Sequence, residues 1–539
     1  MTGQAITAEF PLTPIQELML AHSMRDPLSP ACLVQYALRC TGPFDAVRYG
    51  QAWQRLVDRH TALRTCFVRK DGAAPVQRIS RSAEVPVAIA DLAGADPGAA
   101  LAELARADRE REFRLAEAPL LRLSIGRLSP GEHVVLVTMH HLIVDGWSAE
   151  LMLEEAAWHY REPDTPREPT DFGVYLDWLV AQDDVRAESY WRGELTAATP
   201  GCGRLGALLR PSHHAGGSRP QEIRSTLTSA TAEALVQRAR RARVTPNVLT
   251  RSLWGLLLSR YNGQAGTIFA VTMAGRPFEI DGVDRLVGPF LNNVPVLVAD
   301  PGDEPLDAWL LDLQRRQAVG ADYQWCSPGQ IHGWSGKSLS ATTCDSLFVF
   351  QNYPGDLDLV PLGDDIAVHR EAVPGASIRT GYPLTLTVTL AGELTLRTTH
   401  DSAVVSRPGV ERLHEDFAGV LTALAEGAQA VADLPLPPPW TPRADARRER
   451  PAARPYAAPE TEVERRICAL TAEVLDLDDF GLHDDVFEAG CNSVAAMYLA
   501  RKLQEDFDVA VPVAEIFLNP TPAQLAITIL AAALRRARQ

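Results

Sequence analysis

The sequence predicts an α/β protein of two similar lobes followed by a small all-α bundle of four helices, and three observations carry that prediction. Helical and strand-like patterns alternate up to about residue 438, in two rounds separated by a Gly-, His-, Ser- and Pro-rich break at 200–220. The stretch from Trp440 to Pro459 is dominated by proline, alanine and arginine without apolar periodicity, the composition of an extended connector. Beyond it the apolar residues recur at helical spacing.

In chain order, Thr13-Pro14 opens a helix over 13–24, 32–40 reads as a strand, 44–62 as one amphipathic helix and 64–68 as a strand. Residues 132–139 are almost wholly apolar, as expected of a strand covered on both faces. That strand runs straight into His140-His141, and a helix follows over 148–159. The second round reads as a strand near Glu222, helices over 231–241 and 246–262, a strand over 267–273 and a helix over 409–426. Past the connector, helices are predicted over 462–475, 493–507 and 521–538, with a short one over 513–518; Thr521-Pro522 supplies an N-cap and a first turn. The organisation expected is 8–438 (lobes of about 8–180 and 187–438), a linker over 439–459 and a bundle over 460–537, with a site between the lobes.

Composition bounds the function. At 539 residues the chain exceeds what one hydrophobic core supports. A net charge of −16 argues against nucleic-acid affinity across the molecule. No run of about 18 apolar residues predicts a membrane span, and the first residues lack the basic-then-apolar order of a secretion signal. The expected location is cytoplasmic, with neither nucleic acid nor membrane as partner. Eight cysteines without a CxxC pair fit reduced thiols and no metal site. In the C-terminal bundle acidic residues outnumber basic ones by about two to one, which suits docking on basic partners.

The segment His140-His141-Leu142-Ile143-Val144-Asp145-Gly146-Trp147-Ser148 carries the most chemistry. Two histidines at the end of a buried strand must be hydrogen-bonded or functional. A histidine so placed can take a proton from an attacking amine or hydroxyl, or hold it in line. Asp145, before a glycine, can pair with a cation or orient a ring, and Gly146 permits close approach of a substrate. The same spacing also suits a satisfied histidine pair beside a helix-capping aspartate. The second segment is Asp484-Asp485-Val486-Phe487-Glu488-Ala489-Gly490-Cys491-Asn492-Ser493, where Ser493 opens a helix after a glycine-containing turn and exposes its hydroxyl for modification.

The first segment resembles the HHxxxDG motif of nonribosomal peptide synthetase condensation domains, which have a two-lobed chloramphenicol acetyltransferase-like fold. Other stretches are similar to that family's motifs in the same order: Leu12-Thr13-Pro14-Ile15-Gln16, Arg59-His60-Thr61-Ala62-Leu63-Arg64-Thr65-Cys66-Phe67, Tyr175 to Leu179 with Tyr190-Trp191, Ala274-Gly275-Arg276-Pro277 with Val287 to Asn292, Phe350 to Pro354, and Tyr382-Pro383-Leu384. The second segment resembles the D-x-F-x-x-GG-x-S motif of carrier domains, with Cys491 in place of the second glycine.

The resemblance implies an acyltransferase that forms an amide between a donor acyl or peptidyl thioester on another carrier and an aminoacyl group on its own carrier. It implies His141 as base or positioning group, His140, Asp145 and Gly146 in the catalytic segment, and Arg276, Trp147 and Asn292 as support, with Arg276 paired to Asp145. It implies 4′-phosphopantetheine on Ser493 and no metal. The partners implied are an upstream donor carrier, an adenylation enzyme acting in trans and a phosphopantetheinyl transferase, in natural-product or antibiotic biosynthesis. Ester formation with a hydroxyl nucleophile and a non-catalytic platform for partner enzymes remain alternatives. Epimerising relatives normally follow their carrier, and heterocyclising relatives replace the histidines with aspartate. Ser335 to Ser338 lacks the first glycine of a P-loop, and His213-His214 reads as a solvated loop.

Overall fold

The computed structural model describes residues 5–26, 32–69, 74–199, 201–208, 220–335, 344–351, 362–373, 380–441, 456–475, 477–489, 491 and 493–536, with backbone only at 493 and 494. It divides into two compact units. Unit 1 is Met1–Gln182 with Ala274–Leu291 and Tyr353–Ile378; unit 2 is Asp183–Met273, Asn292–Asn352 and Arg379–Gln539. His213-His214, Gly336 to Ser338, Asn352 to Pro354, Gly490, Asn492 and most of the expected linker lie outside the described residues.

The N-terminal part of unit 1 contains β1 (Ile6–Pro11), α1 (Pro14–Arg25), β2 (Leu33–Thr41), α2 (Ala46–Arg59), β3 (Thr65–Val68), β4 (Val76–Ser80), β5 (Val87–Asp91), α3 (Pro97–Arg109), β6 (Leu121–Ser129), β7 (Glu132–His140), α4 (Gly146–Arg161) and α5 (Gly173–Val180). Unit 2 continues with α6 (Asp184–Glu194), β8 (Pro220–Leu227), α7 (Ser229–Arg241), α8 (Pro246–Asn262), β9 (Gly266–Met273), β10 (Asn292–Ala299), α9 (Leu306–Gly320), α10 (Pro328–Trp334) and β11 (Ser346–Gln351). After β12 (Ala367–Glu371), which belongs to unit 1, come β13 (Leu384–Ala391), β14 (Glu393–Asp401), α11 (Arg407–Glu426), α12 (Glu462–Leu475), α13 (Ser493–Phe507), α14 (Val513–Leu518) and α15 (Pro522–Arg536).

Unit 1 holds a five-stranded sheet in the order β12-β2-β7-β6-β5 and a small sheet β1-β4-β3. β7 is central, antiparallel to both β2 and β6, and every residue after Glu132 is buried, which accounts for its apolar run. α1 starts where it does because Thr13 and Gln16 form a reciprocal capping box ahead of Pro14. The single helix expected over 44–62 is shorter: Asp45 caps it, accepting from the N–H groups of Val47 and Arg48. His60 takes an extended conformation before a one-turn 3-10 helix at Thr61–Arg64.

The end of α2 is fastened to α4 through Glu155. Its Oε2 accepts a 2.6 Å hydrogen bond from Arg59 Nη1 and lies 3.0 Å from His60 Nε2, and its Oε1 lies 3.3 Å from His159 Nε2. Burial alone would raise this carboxyl; the His159 and His60 imidazoles and the Arg59 charge overcome that and hold it well below the usual carboxylate range. Unit 2 is built on a six-stranded sheet, β10-β9-β11-β13-β14-β8, with α8 buried along most of its length against it. α12 to α15 form the C-terminal bundle. Among the described residues no helix is long and apolar enough to cross a membrane.

Replacing Glu155 with Ala removes the acceptor shared by the half-buried Arg59 guanidinium and the buried His60 ring and is expected to lower the unfolding free energy by about 1.5–3 kcal/mol. Equilibrium urea unfolding measures this, and a loss below about 1 kcal/mol would contradict the anchoring role.

Candidate functional site

β7 delivers His140 and His141 to the loop before α4, and the two rings have different surroundings. His140 is buried. The Leu142 N–H donates to its Nδ1 at 3.1 Å, so the neutral ring carries its proton on Nε2, 3.1 Å from Ser23 Oγ; that hydroxyl donates in turn to the Met19 carbonyl. Burial, with the neighbouring His141 and Arg122, pushes His140 down to about 3. Both ring nitrogens are consumed in fixing the loop.

His141 is half-buried, and only its backbone is fastened, its N–H donating to the Cys32 carbonyl at 2.8 Å. Its Nδ1 is enclosed without a hydrogen-bond partner among the described residues, whereas Nε2 is not enclosed in this way. Burial lowers the pKa of His141, opposed by the Asp145 carboxylate and by the backbone of His141 and Val144. The ring is therefore neutral at pH 7, with Nε2 open to accept a proton or a hydrogen bond.

Asp145 has both of the roles its spacing allowed. It caps α4, with Oδ1 accepting from Ser148 N at 2.7 Å, so the helix begins at Gly146 rather than at 148. Its Oδ2 accepts from Phe290 N at 3.1 Å, and its Oδ1 lies 3.5 Å from Arg276 Nη2, both charged groups being buried. Arg276 also donates to the carbonyls of Val283 and Leu286 and to Ser148 Oγ, and its guanidinium lies 4.1 Å from the centroid of the Phe290 ring. Ser148 Oγ donates to the Gly288 carbonyl at 2.8 Å and accepts from Gly288 N. Segment 274–291 is thus stitched to the start of α4. Gly275, at φ +62, is required there, since a Cβ would lie 1.8 Å from the Phe290 carbonyl oxygen.

Gly146 is the first residue of α4 and half-buried, and Trp147 donates from Nε1 to the Asp284 carbonyl at 3.0 Å. Asn292 is elsewhere: it begins β10 in unit 2, where its Nδ2 donates to the carbonyls of Gln324 and Cys326, each at 2.7 Å. Three residues missed as site members do the positioning. Gln16 donates from Nε2 to the Leu142 carbonyl at 3.0 Å, Ser23 holds His140, and Ser148 joins Arg276 to Gly288. The serine of Asp145-Gly146-Trp147-Ser148, at the third helical position, was a readable sign; Ser23 left none.

Ser493 is the first residue of α13, whose first turn holds no acidic side chain, so the positive helix end suits a phosphodiester there. The preceding loop is braced by Asp485, whose Oδ1 accepts from Phe487 N at 2.7 Å, and by Cys491 N donating to the Val486 carbonyl. Cys491 itself is buried. Within unit 2, α13 packs on α10. The His332 ring meets Tyr498 edge-on at 4.0 Å, Arg501 Nη1 donates to the Gln330 carbonyl at 3.2 Å, and a Cβ on Gly333 would lie 2.7 Å from the Arg501 guanidinium.

Comparison with known proteins agrees with this layout. Residues 6–441 match the condensation-domain family and residues 465–529 the phosphopantetheine attachment site family. A linear gramicidin synthase polypeptide of Brevibacillus parabrevis is 32% identical over 449 residues, 80% of this chain and 9% of the relative. Chondramide synthase cmdD of Chondromyces crocatus is 32% identical over 407 residues, 74% of this chain and 10% of the relative. The chain therefore spans about a tenth of the length of these curated relatives. The solved condensation domain of the monacolin K polyketide synthase superposes with a TM-score of 0.66 at 17% identity, covering 78% of this chain and 98% of that one, which shows the fold.

Because His140 stays neutral in the fold to about pH 3 but titrates near 6.5 when unfolded, the unfolded state binds the extra proton first on acidification. Stability present above pH 6.5 should fall by about 1.4 kcal/mol per pH unit below it from this group. Urea midpoints at pH 7 and 5.5 should show the loss, and His140→Gln should flatten the slope; an unchanged slope would contradict the neutral, buried assignment.

Proposed function

As the chain belongs to the condensation-domain family and carries a phosphopantetheine attachment domain behind it, we propose that it forms an amide between a donor acyl or peptidyl thioester on a second carrier and an aminoacyl group on its own carrier. The observation that carries this reading is the neutral His141 imidazole with an open Nε2 on a loop held at both ends by hydrogen bonds of His140 and Asp145.

Bound 4′-phosphopantetheine supplies a flexible thiol that holds an acyl group as a thioester. Ser493 Oγ is its attachment point, at the N-terminus of α13. His141 Nε2 accepts the proton that the amine sheds as its nitrogen bonds to the acyl carbon, or accepts a hydrogen bond that aims the lone pair; the carbon–sulfur bond of the donor thioester breaks and the donor arm leaves as a thiol that takes up the proton. A neutral imidazole is needed for either. Asp145 and Arg276 act by holding the loop. Trp147 and Gly146 flank it, His140 fixes the strand end, and Asn292 secures the segment ahead of α10, the helix on which the carrier's α13 packs. That packing supports a carrier working in cis.

The partners that follow are a carrier or adenylation enzyme of the same assembly line, with an upstream donor carrier, an adenylation enzyme loading Ser493 in trans and a phosphopantetheinyl transferase as the specific expectations. The biosynthetic relatives support a natural-product pathway, and eight buried cysteines, none in a disulfide, support a cytoplasmic location.

With the whole chain and a loaded donor carrier, His141→Ala should slow single-turnover transfer by about 100-fold or more, with arm attachment and thermal unfolding unchanged. Product formation at the wild-type rate would favour a docking platform instead. Ser493→Ala should gain no arm mass in intact mass spectrometry; a modified Ser493→Ala chain would move the attachment site. Gly333→Leu should slow transfer while leaving arm attachment intact, and unaltered transfer would show that the α10–α13 contact has no part in it.

A further inference from the structure

A cavity inside unit 2 holds a cation that nothing among the described residues balances. It lies among α6, α8, α9 and β10, and Tyr190, Arg251, Val294, Leu313, Arg316 and Gln317 are among its lining residues. Arg251 is 3% exposed, yet it makes no hydrogen bond or ion pair among the described residues, and its Nη1 is enclosed without a partner. The one carboxylate in the wall, Glu194, is already engaged by Arg316, which donates to its Oε1 from Nε at 3.1 Å and Nη2 at 2.6 Å. Burial, then the Arg316 charge, lowers Arg251 to about 10, so it remains cationic at neutral pH.

An unpaired buried guanidinium is strongly disfavoured unless a counter-charge or solvent meets it. The space is about 40 Å³, room for roughly three water-sized groups, which is the size of a carboxylate. Much of the remaining lining is apolar, Met273, Val294, Val296 and Leu313 among it, which suits a hydrogen or methyl. Gln317 Oε1 is also enclosed without a partner, so an accompanying O–H would be accepted there.

We propose that this cavity is a binding site for a small carboxylate-type oxyanion, of the size of formate, acetate or bicarbonate, seated on the Arg251 guanidinium. The bound anion ties α8 to α9 beside Gln324, whose carbonyl holds Asn292 at the base of the segment leading to α10. Binding there is independent of the proposed amide-forming activity.

The test uses the whole chain, with sodium formate titrated against sodium chloride at constant ionic strength. The unfolding midpoint of the wild type should rise saturably with formate, and Arg251→Met should fold at least as stably without formate and show no such rise. Should Arg251→Met fail to fold, carbon-13 formate line broadening on the wild type, reversed by acetate, gives the same reading. Equal, non-saturating responses in both proteins, no acetate-reversible broadening, or a formate-grown crystal with only water beside Arg251, would overturn it.

Discussion

The Asp145 carboxylate is the constraint on which the site depends. One side chain ends the loop by capping α4, binds the Phe290 N–H and meets the Arg276 guanidinium. Segment 274–291 is held by that carboxylate and by Ser148, while the histidine loop is held from the other end by His140 and Gln16. A buried ion pair of this kind is poor evidence for stability, because desolvation offsets most of the attraction. Its contribution is geometric: it allows one arrangement of the backbone on both sides of His141. The ring of His141 is the exception in the loop, since the His140 ring and the Asp145 carboxylate are both bonded and its own Nε2 is left over.

That arrangement explains which residues can vary without loss. Gly275 and Ser148 are fixed by close approach and by three hydrogen bonds respectively. Cys491, by contrast, departs from the carrier pattern with a side chain that is buried. The same size argument governs α10, where Gly329 and Gly333 let α13 approach; a Cβ on Gly329 would already lie 3.2 Å from Met497 Cβ.

Much of this was legible in the sequence because the informative signals were local. The apolar run of β7, the Thr13-Pro14 start of α1 and the helical spacing of α12 and α13 each report a single element's burial or capping. The two readings left open for Asp145 both hold, and on one oxygen: Oδ1 caps α4 and faces Arg276, while Oδ2 takes the Phe290 N–H. What could not be read is what depends on distant pairing. β4, β5 and β6 are recognisable only beside their partners, and β12 pairs with a strand more than 300 positions earlier, as in the alignment of Val368 with Cys40. Gln16 and Ser23 become site residues through contacts across 126 and 117 positions, and no local pattern announces them.

The central claim is that His141 is presented neutral with Nε2 free, by a loop that Asp145 holds. Nitrogen-15 NMR of the intact chain, labelled at histidine and titrated from pH 8 to 5, measures this directly. The His141 midpoint should lie below the ordinary histidine value of 6.5, and should move lower still in Asp145→Asn as the opposing carboxylate charge is removed. A midpoint at or above 6.5, or a ring indifferent to Asp145, would contradict it.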